Sequence, residues 1–349
     1  KLLDYVRTKN ELIYSTVVFD PDAGTMGDSR FNTWRGWKAQ VPDDGIDLTV
    51  IQPMLNLIHD VLADGDDDMY TYVLQWFKTM LKYPGGRTNI ILLLCSDQGV
   101  GKGILTDFII DYVCGSRLTL TASKLSDVCG QFNSIIAGKK FCVLNELSTV
   151  KTEWRGLMDK MKALITDKSC IIESKGIDKY PTKNYTNWMI CTNNAQSVYL
   201  DRSDRRFCVL HPNEKHIGNT AYFKNIVDVC YNQYSGDMFL KFLLSLPDFE
   251  LSPPPMTGAK MDLIELSKSS GDRFCDIQVR YDGKMVDVTS SRLYRKYRDW
   301  CDLEGEKPIA NNHFGRYASK AFKKRILHGM SIYTVPTNVH NHQNERMES

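Results

Sequence analysis

Between residues 90 and 210 the chain alternates short, almost wholly apolar runs with longer stretches of mixed polarity. The runs lie at 90–95, 141–144, 188–192 and 207–210. Apolar runs this short, with no polar residue at every second position, predict strands covered on both faces. The stretches between them read as helices, and one of these places Trp154, Leu157, Met158, Met161, Leu164 and Ile165 on one face at spacings of three and four. Alternation of strand and helix predicts an α/β sheet with helices on both sides. Ligands in such sheets bind beyond the carboxyl ends of the strands.

Upstream, apolar residues recur at helical spacing over 51–62 and 70–81, and YPGG at 83–86 closes the second helix. Downstream, LPDFELSPPPMTGAK at 246–260 is proline-rich and has neither period, so it is expected to link two domains. The resulting division is a mostly helical region over 1–86, a core with a lid over 87–245, the linker, a basic domain over 261–336, and a disordered tail over 337–349.

With 349 residues, 42% of them hydrophobic, the chain can bury a large core, which excludes disorder over most of its length. The longest apolar run is far too short to cross a bilayer, and no basic segment followed by an apolar one marks a secretion signal. A cytoplasmic setting is expected. Ten cysteines are scattered singly without C-x-x-C spacing, which reads as buried thiols in a reducing compartment. The first residue is lysine, so the chain is expected to be part of a longer protein. A net charge of +2 means that any nucleic-acid partner has to be argued from local patches.

The first apolar run leads into SDQGVGKGIL, residues 96–105. A phosphate-binding loop reads Gly-x-x-x-x-Gly-Lys-Ser/Thr between a strand and a helix. Here Gly101 and Lys102 stand in place, while Ser96 occupies the first glycine and Gly103 the hydroxyl position. Gly99, Val100, Gly101, Gly103 and Ile104 supply backbone for an anion, the helix start adds its positive end, and Lys102 is expected on the β- and γ-phosphates. The second run ends in Asn145 and Glu146. Glu146 is expected to orient the attacking water and, with Asn145, to hold Mg²⁺ through water. The third run is followed by Asn193, an amide able to bond both γ-phosphate and water. DRSDRRF supplies Arg205 and Arg206 before the fourth run.

In order and spacing, SDQGVGKG, FCVLNE, a lysine-containing insert, MICTNN and DRRF resemble motifs A, B, B′ and C and the arginine finger of superfamily 3 helicases, in the branch of poxvirus-type and phage or plasmid primase-helicases. The leading part with FNTWRGW and the trailing domain are similar to that branch as well. The resemblance implies an AAA+-like core with an N-terminal collar and a C-terminal winged-helix domain. It also implies a hexameric ring with ATP hydrolysed between subunits, single-stranded or forked DNA as partner, and an upstream primase or polymerase domain in the full-length chain. The setting would then be the host cytoplasm or nucleoid. Gly103 and Asn145 depart from the general loop chemistry and favour weakened metal affinity. They also keep a second reading open: a replication-origin scaffold with a vestigial nucleotide site.

Two basic features suit a nucleic acid. In CIIESKGIDKYPTK, two strand-like runs flank a glycine-containing loop with Lys175, Lys179, Tyr180 and Lys183 close together. The resembled family directs a hairpin at this place into the ring channel. In NNHFGRYASKAFKKRIL, Phe314, Tyr317, Ala318, Ala321 and Phe322 recur at helical spacing, Asn311 or Asn312 can cap the start, and Arg316, Lys320, Lys323 and Lys324 occupy the polar side.

Overall fold

The computed structural model describes residues 14, 16–22, 30–146, 151–195, 198–281 and 283–336, with side chains omitted over 151–155. The side chain of Trp154 and the tail expected over 337–349 lie outside the described residues. The chain forms two compact units, one running through Leu266 and the other starting at Ser267.

In the first unit a short parallel pair, β1 (Thr16–Val18) and β2 (Arg30–Asn32), precedes two helices. Helix α1 (Gln52–Asn56) continues as a wider turn over Leu57–Leu62, and α2 covers Asp67–Lys82. Asp66 starts α2 by accepting from the Met69 N–H at 2.9 Å. The central sheet has five parallel strands in the order β4-β5-β8-β3-β9: β3 (Ile91–Cys95), β4 (Thr119–Ala122), β5 (Phe141–Asn145), β8 (Asn187–Thr192) and β9 (Phe207–Leu210). Strand β4 was not predicted, because TLTA carries two threonines and no run of large apolar residues.

Alternate side chains along each strand enter different cores. Leu92, Leu94, Phe141, Val143, Met189 and Cys208 pack with α1, α2 and the helix after β3, whereas Ile91, Leu93, Cys142, Leu144, Ile190 and Phe207 pack with α4 (Leu125–Cys129) and α5 (Lys151–Thr166). Both faces are covered, which is why the strands read as continuous apolar runs. The helices expected over 1–86 therefore share a core with the sheet, with Trp76 donating its indole N–H to Ile90 O at 2.8 Å. Nine of the ten cysteines are buried, and all are free.

Strands β6 (Ser169–Ser174) and β7 (Ile177–Lys183) form an antiparallel hairpin turning at Lys175 and Gly176, the latter with φ +76°. Helices α6 (Thr220–Cys230) and α7 (Gln233–Ser245) follow β9. The proline-rich segment that follows is held on the first unit, so the division falls after Leu266 and not within 246–260. Lys78 donates to the carbonyls of Leu246 and Pro247, Tyr72 to Ser252 O at 3.0 Å, and Thr257 to Val209 O at 2.7 Å. Helix α8 (Gly258–Ser267) ends at the boundary.

The second unit runs α9 (Ser270–Val279), β10 (Met285–Thr289), α10 (Ser290–Glu304), α11 (Asn311–Ala321), β11 (Lys323–Leu327) and β12 (Met330–Pro336), with antiparallel sheet order β10-β12-β11. Its core gathers Phe274, Leu293, Tyr297, Cys301, Phe314 and Tyr333, with the Tyr297 and Phe314 rings stacked at 4.4 Å. Ser269 and Asp272 form a capping box at α9, and Thr289 caps α10. Neither Asn311 nor Asn312 caps α11: Ala310 holds the N-cap position, and its methyl side chain cannot accept a hydrogen bond. No helix among the described residues is long and apolar enough to cross a membrane.

Candidate functional site

Register brings the candidate residues together. Cys95 at the end of β3 pairs with Thr192 on β8, and Cys191 pairs with Asn145 on β5. Three adjacent strands thus end at one level, and the residues after them open on one side of the sheet. A cavity of about 430 Å³ lies there, lined by residues 98–104, Asn145, Glu146, Cys191, Thr192, Asn193 and Phe223.

The loop between β3 and α3 (Lys102–Phe108) turns through Gly99 at φ +86° and Gly101 at φ +98°. A Cβ on Gly101 would lie 2.9 Å from both Leu57 Cδ1 and Phe223 Cε1, so backbone conformation and space both demand glycine there. Ser96, at the first-glycine position, is buried; its N–H bonds Thr192 O at 3.1 Å. The Lys102 Nζ bonds Ser96 O at 2.6 Å, Ser96 Oγ at 2.9 Å and Asp97 O at 3.0 Å. Burial lowers its pKa, against the opposing charges of Asp97 and Glu146. Glu146 has φ +52°, with its N–H bonded to Cys191 O at 2.9 Å. A left-handed glutamate costs about 1–2 kcal/mol and redirects the chain as it leaves β5. Asn145 is half-buried, and Asn193 is exposed to the cavity.

Gly103 needs no special conformation, and nothing lies within 4 Å of a Cβ built on it. Thr106, one turn on, cannot take over the missing hydroxyl's task as it stands. It is buried, and its Oγ1 donates to Gly103 O at 3.0 Å. Gly103→Ser is therefore expected to fold normally, with a melting temperature unchanged to within a few degrees.

A model described as a family of unknown function, DUF5906, matches residues 94–206. The match spans the cavity's three strand ends. The DNA primase-polymerase of Nitratiruptor phage NrS-1 is 26% identical over 218 residues, covering 60% of this chain and 29% of the relative's length. Two solved apo structures of the NrS-1 C-terminal region, each 17% identical, align over 92% of this chain and over 84% and 85% of theirs, with TM-scores of 0.67 and 0.63. At that identity the likeness is one of fold: mixed α/β around a parallel sheet.

The end of the matched segment carries Arg205 and Arg206, which do not join the cavity. They precede β9, and Arg206 O accepts from Ile91 N at the amino end of β3, the edge of the sheet opposite the loop. Arg205 is exposed. Arg206 is half-buried, with Nη1 4.0 Å from Asp204 Oδ1 and its Nε buried without a hydrogen bond among the described residues.

Within the hairpin of the same segment, Lys179 pairs with Glu173 at 2.8 Å and Lys183 with Asp20 at 3.3 Å. The Lys179 bond, with that of Gln131, holds the Glu173 carboxyl below its usual range. Lys175 is exposed at the turn, with no acidic partner among the described residues, and Tyr180 is 45% exposed. In both pairs the lysine is exposed while its acidic partner is largely covered. Arg316, Lys320, Lys323 and Lys324 are all exposed on the second unit. Phe223 was missed: it comes from α6, more than a hundred residues after the loop, and only tertiary contact with Gly101 reveals it.

Proposed function

We propose that this chain is the ATP-driven DNA helicase part of a phage replication protein of primase-polymerase type, working as a ring with nucleotide between subunits. The observation that carries the reading is the meeting of Lys102, Asn145, Glu146 and Asn193 with the glycine loop around one cavity. Its similarity to the phage NrS-1 primase-polymerase and to that protein's C-terminal region supports a replication setting.

The donor set fits a magnesium triphosphate: loop amides and a lysine for the phosphates, a carboxylate and two amides for water and metal. Lys102 would exchange its carbonyl partners for the β- and γ-phosphates. Glu146 would orient the attacking water and take its proton, and Asn193 would hold that water against the γ-phosphate. Mg²⁺, held through water by Asn145 and Glu146, would neutralise charge on the phosphates. Strand transport would fall to the β6–β7 hairpin. The second unit, with its order α, β, α, α, β, β, would act as a winged helix presenting α11 to duplex DNA.

A scaffold with a vestigial site is the second reading, favoured by Gly103 and by the engaged Thr106 hydroxyl. Steady-state phosphate release with DNA separates the two. Glu146→Gln is expected to slow release by about 10²-fold or more while nucleotide still binds. Equal, near-zero rates for both proteins would leave the scaffold.

A further inference from the structure

The wing of the second unit carries more than charge. Strand β10 pairs with β12 only as far as Ile332, opposite Thr289, whereas β11 and β12 continue through Ile326–Ser331 and Leu327–Met330. The hairpin therefore projects two residue pairs, about 7 Å, beyond the three-stranded sheet. It closes at His328 and Gly329, with φ +46° and +77°, the two successive positive values of a tight, stiff hairpin turn. On this projection Ile326 is 72% exposed, Leu327 48% and Met330 54%. Alternation puts Leu327 and Met330 on one face and Ile326 on the other, so the tip is apolar on both sides.

Behind the tip the surface is cationic. Lys323 and Lys324 are exposed on β11, with the Lys324 ammonium 5.8 Å from the Tyr333 ring centre, and Arg316 and Lys320 are exposed on α11. Tyr333 and Ser319, bonded at 3.1 Å, tie the wing to α11. Arg325 is already paired with Asp287. An apolar patch rimmed by cations marks an interaction surface. A rigid apolar point with cations set back from it suits a polyanion whose flat hydrophobic faces lie inside a charged backbone.

We propose that the β11–β12 wing reads the junction between single-stranded and double-stranded DNA. Lys323 and Lys324 hold backbone phosphates, and Ile326, Leu327 and Met330 pack on the exposed face of the last base pair, as apolar wedges do at unstacked steps. This rests on the DNA-helicase reading and assigns the wing a place in it.

The test uses the whole chain, without ATP, on a forked DNA bearing a fluorescent adenine analogue in the last base pair and on a single strand of the same length. The unaltered protein is expected to bind the fork about tenfold more tightly and to change the analogue's emission. The triple variant Ile326→Thr, Leu327→Thr, Met330→Thr keeps strand-forming residues and is expected to lose both effects while holding the single strand as before. Lys323→Ala with Lys324→Ala is expected to weaken both DNAs and to reduce the salt slope by about two. Retained fork preference in the triple variant overturns the proposal. So does a triple variant that changes oligomeric state with fork binding intact, which would make the tip a contact between copies. Because binding is read without hydrolysis, a chain unable to turn over ATP would count against the motor reading and leave this result unaffected.

Discussion

Replacing Lys102 with alanine is expected to lower DNA-stimulated ATP hydrolysis by about a hundredfold or more, because it removes charge-assisted hydrogen bonds of about 1.5–3 kcal/mol each from the phosphates. The ammonium is the only side-chain cation lining the cavity among the described residues. It reaches that place because Gly101 turns at a positive φ and sets Lys102 at the first position of α3. Of its acceptors, Asp97 O keeps the Ser96 Oγ donor at 3.3 Å, and the cavity that Lys102 itself lines lets water reach the place it vacates. The fold should therefore survive, and an unaltered melting temperature with lost turnover is the expected pair of results. Lys102→Arg is expected to recover little, since a planar guanidinium differs from a compact ammonium in reach and direction. Full turnover in the alanine variant would remove the cavity from any account of hydrolysis.

A chain lacking both Arg205 and Arg206 is expected to lose about 10³-fold or more in turnover while still binding nucleotide, the scale of an arginine finger. The two arginines precede β9 at the sheet's amino edge, and the cavity opens at its carboxyl edge. A strand of five residues separates its two ends by about 13 Å, so neither arginine can serve the cavity of its own chain. Mixing this variant with Lys102→Ala subunits is expected to restore activity, because an intact arginine edge would then face an intact cavity. No recovery in mixed particles would exclude a shared site. Exposed Arg205 is expected to account for most of the effect, since Arg206 is half-buried beside Asp204.

The strands at 90–95, 141–144, 188–192 and 207–210 were legible because parallel strands covered on both faces must be apolar at every position, a pattern no loop reproduces. Strand β4 escaped because an edge strand pairs on one side only and tolerates TLTA. The proline-rich segment looked like a linker because it lacks a period; its carbonyls are nonetheless satisfied by Lys78, a partner 168 residues away in sequence. The acidic partners of the hairpin lysines could not be read from the sequence, since Asp20 lies far upstream and the Glu173 bulge is invisible without the register.

By itself the sequence determined which residues stand at strand ends: local apolarity and glycine spacing decide where a strand stops and a turn begins. Only the tertiary structure decided that three of those ends lie side by side, that Phe223 and Leu57 close on Gly101, that Thr106 is turned inward, and that the arginines face the other way. Strand order and register arise from packing summed over both cores, and that sum is not carried by any short stretch of the chain.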